Sequence, residues 1–87
     1  MLLKYLKNNS GLSIEIYGHT DNRGLDKRNK ELSKQRAKAV ADYLISQGLN
    51  PAMIRFYGFG SSKPISTNET EKGQKLNRRV EFKLIEN

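Results

Sequence analysis

The stretch LSIEIYGHTDNRGLDKRNKELSKQRAKAVADYLIS, residues 12–46, decides the fold. Leu12, Ile14 and Ile16 alternate with Ser13, Glu15 and Tyr17, the period of two that a strand shows when one face is buried. This predicts a strand over about residues 12–17. Gly18 to Gly24 is polar and rich in turn formers, so it reads as a loop. Helical spacing then sets in with Leu32, Arg36, Val40 and Leu44, joined by Ala37, Ala39, Ala41 and Tyr43, and Gly48 supplies a stop. The spacing predicts a helix over about 30–47. Its start stays open between Asn29 and Ser33, because both are good N-caps.

Downstream, Asn50-Pro51 predicts one short helical turn over Pro51 to Met53. Ile54, Phe56 and Gly58 alternate with Arg55 and Tyr57, which gives a second strand over 54–58. Strand, helix and strand make a βαβ unit, whose two strands run parallel with a right-handed crossover. Residues 60–77 carry Pro64, Thr67, Asn68 and Gly73 without periodicity, and the expectation there is a long surface loop. Val80, Phe82 and Leu84 alternate with Arg79, Glu81 and Lys83, giving a last strand over 79–85. Upstream, Leu2, Leu3 and Leu6 share one helical face ahead of Lys7-Asn8-Asn9-Ser10-Gly11. That reads as the tail of a helix with no start signal, so the expectation is a chain cut from a longer one on its N-terminal side.

With 87 residues the chain makes one small domain with a thin core. No apolar run is long enough to span a bilayer, and Met1 to Lys7 is broken by lysines too soon for a signal-peptide core. There is no cysteine, which removes disulfides, thiolate metal sites and cysteine nucleophiles together. Sixteen Lys and Arg against nine Asp and Glu leave a net charge of +7, which favours anionic partners. The basic residues are nevertheless scattered in ones and twos, as on an ordinary solvated surface.

Two residues stand out chemically. Asp21 follows the carboxyl end of a strand in a βαβ unit, where ligands of such units gather. Arg36 lies in the column Leu32, Arg36, Val40 and Leu44, on or beside the helix face that should meet the sheet, so its guanidinium needs an acceptor. Two readings follow from the spacing. One is a structural ion pair that pins the loop to the helix. The other is a pair of opposite charges set apart to grip a zwitterion, the aspartate taking an ammonium and the arginine a carboxylate.

Gly18-His19-Thr20-Asp21 with Gly24, then Asn29, Leu32-Ser33, Arg36-Ala37 and Val40, resembles the motif of the OmpA-like peptidoglycan-binding domain family. Tyr43-Leu44, Gly48, Ile54, Gly58-Phe59-Gly60, Pro64, Asn68, Gly73 and Asn77-Arg78-Arg79-Val80-Glu81 continue in that family's order, so the resemblance covers about Leu2 to Phe82. It implies an α+β fold, a two-layer α/β sandwich of β-α-β-α-β-β order. Its mixed sheet runs 1-4-2-3, antiparallel around strand 4. The strands read here correspond to strands 2, 3 and 4 of that plan, so the expectation is a chain lacking strand 1 and most of helix 1.

The resemblance implies non-covalent binding of the peptidoglycan stem peptide, centred on diaminopimelate, whose side chain carries both an ammonium and a carboxylate. Asp21 would accept from the ammonium, Arg36 would hold the carboxylate, Thr20 and Leu32 would shape the wall, and Asn29 and Arg79 match further pocket positions. Arg78 is expected to be an exposed charge at the start of a strand. Gln74 stands where relatives commonly carry arginine. The implied place is the periplasmic face of the outer membrane or the cell envelope. No cofactor, metal or catalytic residue is expected, since no nucleophile with a base, no second catalytic carboxylate motif and no metal cluster is legible. The alternative is a basic nucleic-acid-binding domain with Tyr5, Tyr17, Tyr57 and Phe59 as stacking surfaces, or a purely structural or oligomerisation domain. Without strand 1 the last strand becomes an open edge, and a homodimer through it is expected.

Overall fold

The computed structural model describes residues 11–86. Strand β1 (Leu12–Gly18) leads into helix α1 (Asp26–Ser46), a 3-10 turn (Pro51–Met53), strand β2 (Ile54–Gly58), helix α2 (Glu71–Asn77) and strand β3 (Val80–Glu86). The sheet order is β2-β1-β3, with β1 parallel to β2 and antiparallel to β3. This mixed α+β sheet places its strands as 3-2-4 of the expected plan, the same neighbours read from the other end. The helix expected over Met1 to Leu6 lies outside the described residues.

Register builds the core. Ile14 pairs with Ile54 and Leu84, and Ile16 pairs with Phe56 and Phe82, so these side chains share one face. Helix α1 covers that face over β1 and β2. Ile14 and Ile16 are completely buried there, with Ala37, Ala41, Leu44 and Leu49 packed around them. Each isoleucine contributes about 1.5–3 kcal/mol by leaving water. Among the described residues the cover stops over β3, where Phe82 and Leu84 are 49% and 43% exposed. Among the described residues β3 pairs only with β1.

The buried stripe of α1 differs from the expected column. It runs through Asn29, Ser33, Ala37, Ala41 and Leu44, so Leu32 and Arg36 lie one position off it and are exposed. The cause is the closeness of helix and sheet. A Cβ on Gly18 would meet the Ser33 carbonyl oxygen at 2.0 Å, and one on Gly58 would meet the Lys34 amide nitrogen at 2.4 Å. Only small side chains fit into such a contact, so the serine and alanines turn inward while leucine and arginine move to the flank.

Helix α1 also starts earlier than expected, at Asp26, because the two predicted caps do other work inside the helix. Asn29 donates its side-chain amide to the carbonyls of Arg23 (2.9 Å) and Asp21 (3.5 Å). The Ser33 hydroxyl donates to the Lys30 carbonyl and accepts the Gly60 amide at 2.8 Å. Both tie loops to the helix instead of starting it. Leu25 occupies the cap position without a side-chain bond, and Asp26 meets the positive end of the helix dipole.

The stretch 60–77 is not wholly loop, since its last seven residues form α2. Thr70 caps this helix by accepting from the Gly73 amide at 3.0 Å. Periodicity missed it because α2 buries only Gly73 and Asn77 and has no apolar stripe. Asn77 is completely buried. Its oxygen accepts the amides of Ile65 and Ser66, and its nitrogen donates to the Ser66 carbonyl and the Asn68 side chain, all within 3.0 Å. Gln74 donates to the Asn68 carbonyl at 2.8 Å. Hydrogen bonds, where an apolar face would otherwise serve, hold this segment.

Candidate functional site

The loop after β1 carries the buried polar residues. The His19 amide donates to the Arg79 carbonyl at 2.9 Å and the Thr20 amide to the Gly60 carbonyl at 2.8 Å, so two remote segments hold the loop down. The Thr20 hydroxyl donates to the Asp21 carbonyl. Thr20 and Asp21 are both 5% exposed. A carboxylate so buried must be neutralised and hydrogen-bonded. The Arg23 amide donates to Asp21 Oδ1 at 3.0 Å. Oδ2 accepts Arg78 Nη1 at 2.7 Å, Arg23 Nη2 at 3.1 Å and Arg23 Nε at 3.3 Å. Burial works against the charge of Asp21, but the Arg23 amide and the two guanidiniums outweigh it and hold the carboxyl below its usual range. Asp21 is therefore a fixed anion at neutral pH.

Around it lies an open cleft of about 470 Å³ lined by Thr20, Asp21, Asn29, Leu32 and Arg36, together with Arg23, Gly24, Arg28 and Arg78. Five of the six residues singled out from the sequence therefore meet in one place. Of the two readings of the spacing, the direct ion pair between Asp21 and Arg36 is not made, since Asp21 pairs with Arg23 and Arg78. Arg36 has no hydrogen bond or ion pair among the described residues, so it stands in the same cleft as an uncompensated cation. Leu32 is 37% exposed and supplies the apolar wall.

Of the two arginines before β3, Arg78 lines the Asp21 cleft and Arg79 does not. Arg78 reaches Asp21 and also donates to Glu71 at 3.1 Å. Arg79 lies outside the Asp21 cleft, in an adjoining depression shared with Arg36, Arg78 and Val80. There it donates to Glu81 at 2.6 Å and to the carbonyls of Lys63 and Asn77. Successive residues entering a strand point to opposite sides, so only one of the two can face the loop. Sequence reasoning had no local cue for Arg78, which is 57 residues from Asp21. Arg23 did offer one, since a residue two places after an aspartate is where an Asx-type turn folds back.

His19 is 2% exposed and stacks on Phe59 with ring centroids 5.6 Å apart. Its Nε2 lies 3.6 Å from Glu81, and neither ring nitrogen has a hydrogen-bond partner. Burial, aided by Arg79, lowers its pKa from the ordinary histidine value. Among the described residues no group of acidic, histidine or cysteine side chains is arranged to hold a metal. Tyr17 stacks on Tyr57 at 5.7 Å and meets Phe59 at 5.5 Å, so these rings engage one another instead of forming separate stacking platforms. Tyr5 lies outside the described residues. A larger depression of about 650 Å³ lies between Lys30, Lys34 and Phe56, away from the buried carboxylate.

The chain resembles known proteins along most of its length. It is 42% identical over 74 residues to the peptidoglycan-associated lipoprotein of Pseudomonas aeruginosa, covering 85% of this chain and 44% of that one. It is 48% identical over 69 residues to the peptidoglycan-binding protein ArfA of Mycobacterium bovis, covering 79% of this chain and 21% of that one. The chain thus spans less than half the length of these curated relatives. The crystal structure of the peptidoglycan-associated lipoprotein from Burkholderia pseudomallei superposes with a TM-score of 0.93 at 31% identity, covering 97% of this chain and 71% of that one. The OmpA family profile matches residues 1–78, and with the same fold and the same order of motifs this chain belongs to the OmpA family.

Proposed function

We propose that this chain is a non-covalent peptidoglycan-binding module of the cell envelope, which grips the diaminopimelate of the stem peptide and performs no chemistry on it. The observation that carries the reading is one cleft holding a buried, ionised Asp21 and an exposed, unpartnered Arg36. The diaminopimelate side chain presents an ammonium and a carboxylate, and these two groups complement that pair. Asp21 accepts from the ammonium, and the side chain of Arg23, 59% exposed, swings away to admit it. Arg36 takes the carboxylate through its planar fork. Thr20 and Leu32 line the aliphatic part, Asn29 holds the loop, and Arg79 borders the entrance beside Arg36. The relatives named for peptidoglycan support the partner and an envelope location, and on this reading the chain faces the periplasm.

Calorimetric titration with a diaminopimelate-containing stem peptide tests this. Saturable binding is expected, and Asp21→Ala and Arg36→Ala should each weaken it about tenfold or more while circular dichroism stays native, because each removes a charged hydrogen-bond partner. A folded chain that binds no such peptide sinks the reading.

A second reading concerns self-association and rests on β3. Antiparallel pairing of two copies centred on Phe82 sets Glu81 opposite Lys83 of the second copy and Val80 opposite its Leu84. The alternation of faces and the charges then match at once. Sedimentation velocity should show a dimer that Phe82→Lys converts to monomer. A wild-type monomer at high concentration rejects this reading and leaves the first untouched.

A further inference from the structure

We propose that Arg28 reads a second carboxylate on the same ligand, so that the cleft selects stem peptides whose carboxylates are free over those in which they are amidated. This rests on the stem-peptide reading of the Asp21 cleft.

Arg28, Leu32 and Arg36 follow one another at every fourth residue of α1, and all three line the cleft. With a rise of 1.5 Å per residue they form a straight stripe about 12 Å long, with a guanidinium at each end and an apolar side chain between. The opposite wall is already balanced, since Asp21 and Glu71 share Arg23 and Arg78. The α1 wall is not. Neither Arg28 nor Arg36 has a hydrogen bond or ion pair among the described residues, although Glu31 lies beside Arg28 on the next face of the helix. A ligand with one ammonium and one carboxylate would satisfy Asp21 and Arg36 and leave Arg28 facing nothing. A ligand with one ammonium and two carboxylates satisfies all three.

The stem peptide offers these three groups on two adjacent residues. Its glutamate is joined through the side chain to diaminopimelate, which leaves the glutamate α-carboxylate free one residue before the zwitterion. Through that linkage the glutamate α-carboxylate and the diaminopimelate side-chain carboxylate stand eleven bonds apart, roughly 13 Å at full extension. Two long arginines rooted about 12 Å apart on one helix face span a comparable distance, and Leu32 between them packs against the connecting alkyl chain.

The test is a titration matrix by calorimetry. Its probes are alanyl-γ-glutamyl-diaminopimelate with all carboxylates free, the same peptide amidated at the glutamate α-carboxylate, and the same peptide amidated at the diaminopimelate side chain. Each is measured with wild type, Arg28→Gln and Arg36→Gln. Arg28→Gln retains a good helix former at an exposed position, so its thermal midpoint should match wild type. Amidation of the glutamate should weaken wild-type binding about five- to tenfold, the range of a partly exposed charge-assisted contact, and should leave Arg28→Gln unaffected. Arg36→Gln should lose its response only to amidation of diaminopimelate. If Arg28→Gln weakens all three peptides by the same factor, or none of them, the assignment of Arg28 is overturned while the stem-peptide reading stands. If wild type binds none of the three, both fall.

Discussion

Two junctions deliver opposite charges to one cleft, and they are built differently. After β1, the loop carrying Asp21 makes local closures of its own, to the Arg23 amide two residues on and to Asn29 eight residues on, beside its bonds to Gly60 and Arg79. Before β3, Arg78 depends on the whole preceding segment, because α2 has no apolar stripe and is anchored through the buried Asn77. The first junction is held by short closures that any nearby chain makes at low entropic cost. The second exists only once β3 has paired with β1, setting Val80 opposite Gly18. Binding residues can therefore sit equally close in space while differing in how firmly the local chain specifies them.

The contrast breaks hardest at Asn77. Asn77→Ala removes four hydrogen bonds made by a completely buried side chain and leaves the part-buried amides of residues 65 and 66 unpaired, a loss of about 3 kcal/mol. For a domain of this size that lowers the thermal midpoint by on the order of 15 °C. Amide exchange should accelerate over 61–79 more than over 19–30. Uniform acceleration would mean that the two junctions stand or fall together.

A smaller effect is expected from Arg78→Gln, read in the titration of Asp21. The folded-state pKa of Asp21 lies below its unfolded value, so it contributes stability that is complete above the unfolded pKa and is lost as pH falls through the folded one. Replacing Arg78 should raise the folded pKa, lowering stability at neutral pH while changing it little at the acid extreme. An unchanged carboxyl titration by NMR would show that Arg23 alone sustains the charge.

The mildest test of the contrast is His19, which lies between the two junctions. Its folded-state pKa is lowered by burial, so the unfolded chain takes up a proton first as pH drops below about 6.5. Stability should decline from there down to the folded pKa, a window above that of the carboxylates. His19→Gln should flatten that decline whatever it does to overall stability. A wild-type midpoint that is constant from pH 7 to 5 contradicts this.

The strands were legible within a residue or two because period-two alternation directly records a buried face. The start of α1 was not. Asn29 and Ser33 carry the chemistry of caps, but their side chains serve the loops at Arg23 and Gly60, which local sequence does not reveal. The inward face of α1 was placed one position off for a related reason. Hydrophobicity favoured Leu32, whereas the close approach of Gly18 and Gly58 selects Ser33 and Ala37.

By itself the sequence determined the strand–helix–strand order, the family and the gathering of Thr20, Asp21, Asn29, Leu32 and Arg36 near the end of β1. The order of elements follows from patterns within about one element's length, whereas the family and the residues of the cleft rest on the resemblance of motifs spread from about Leu2 to Phe82. Only the tertiary structure decided that Arg78, and not Arg79, completes the carboxylate of Asp21, that Arg36 stays unpaired, and that Arg28 shares its wall. Those choices depend on strand register and on the distance between helix and sheet, which are set when remote segments pack.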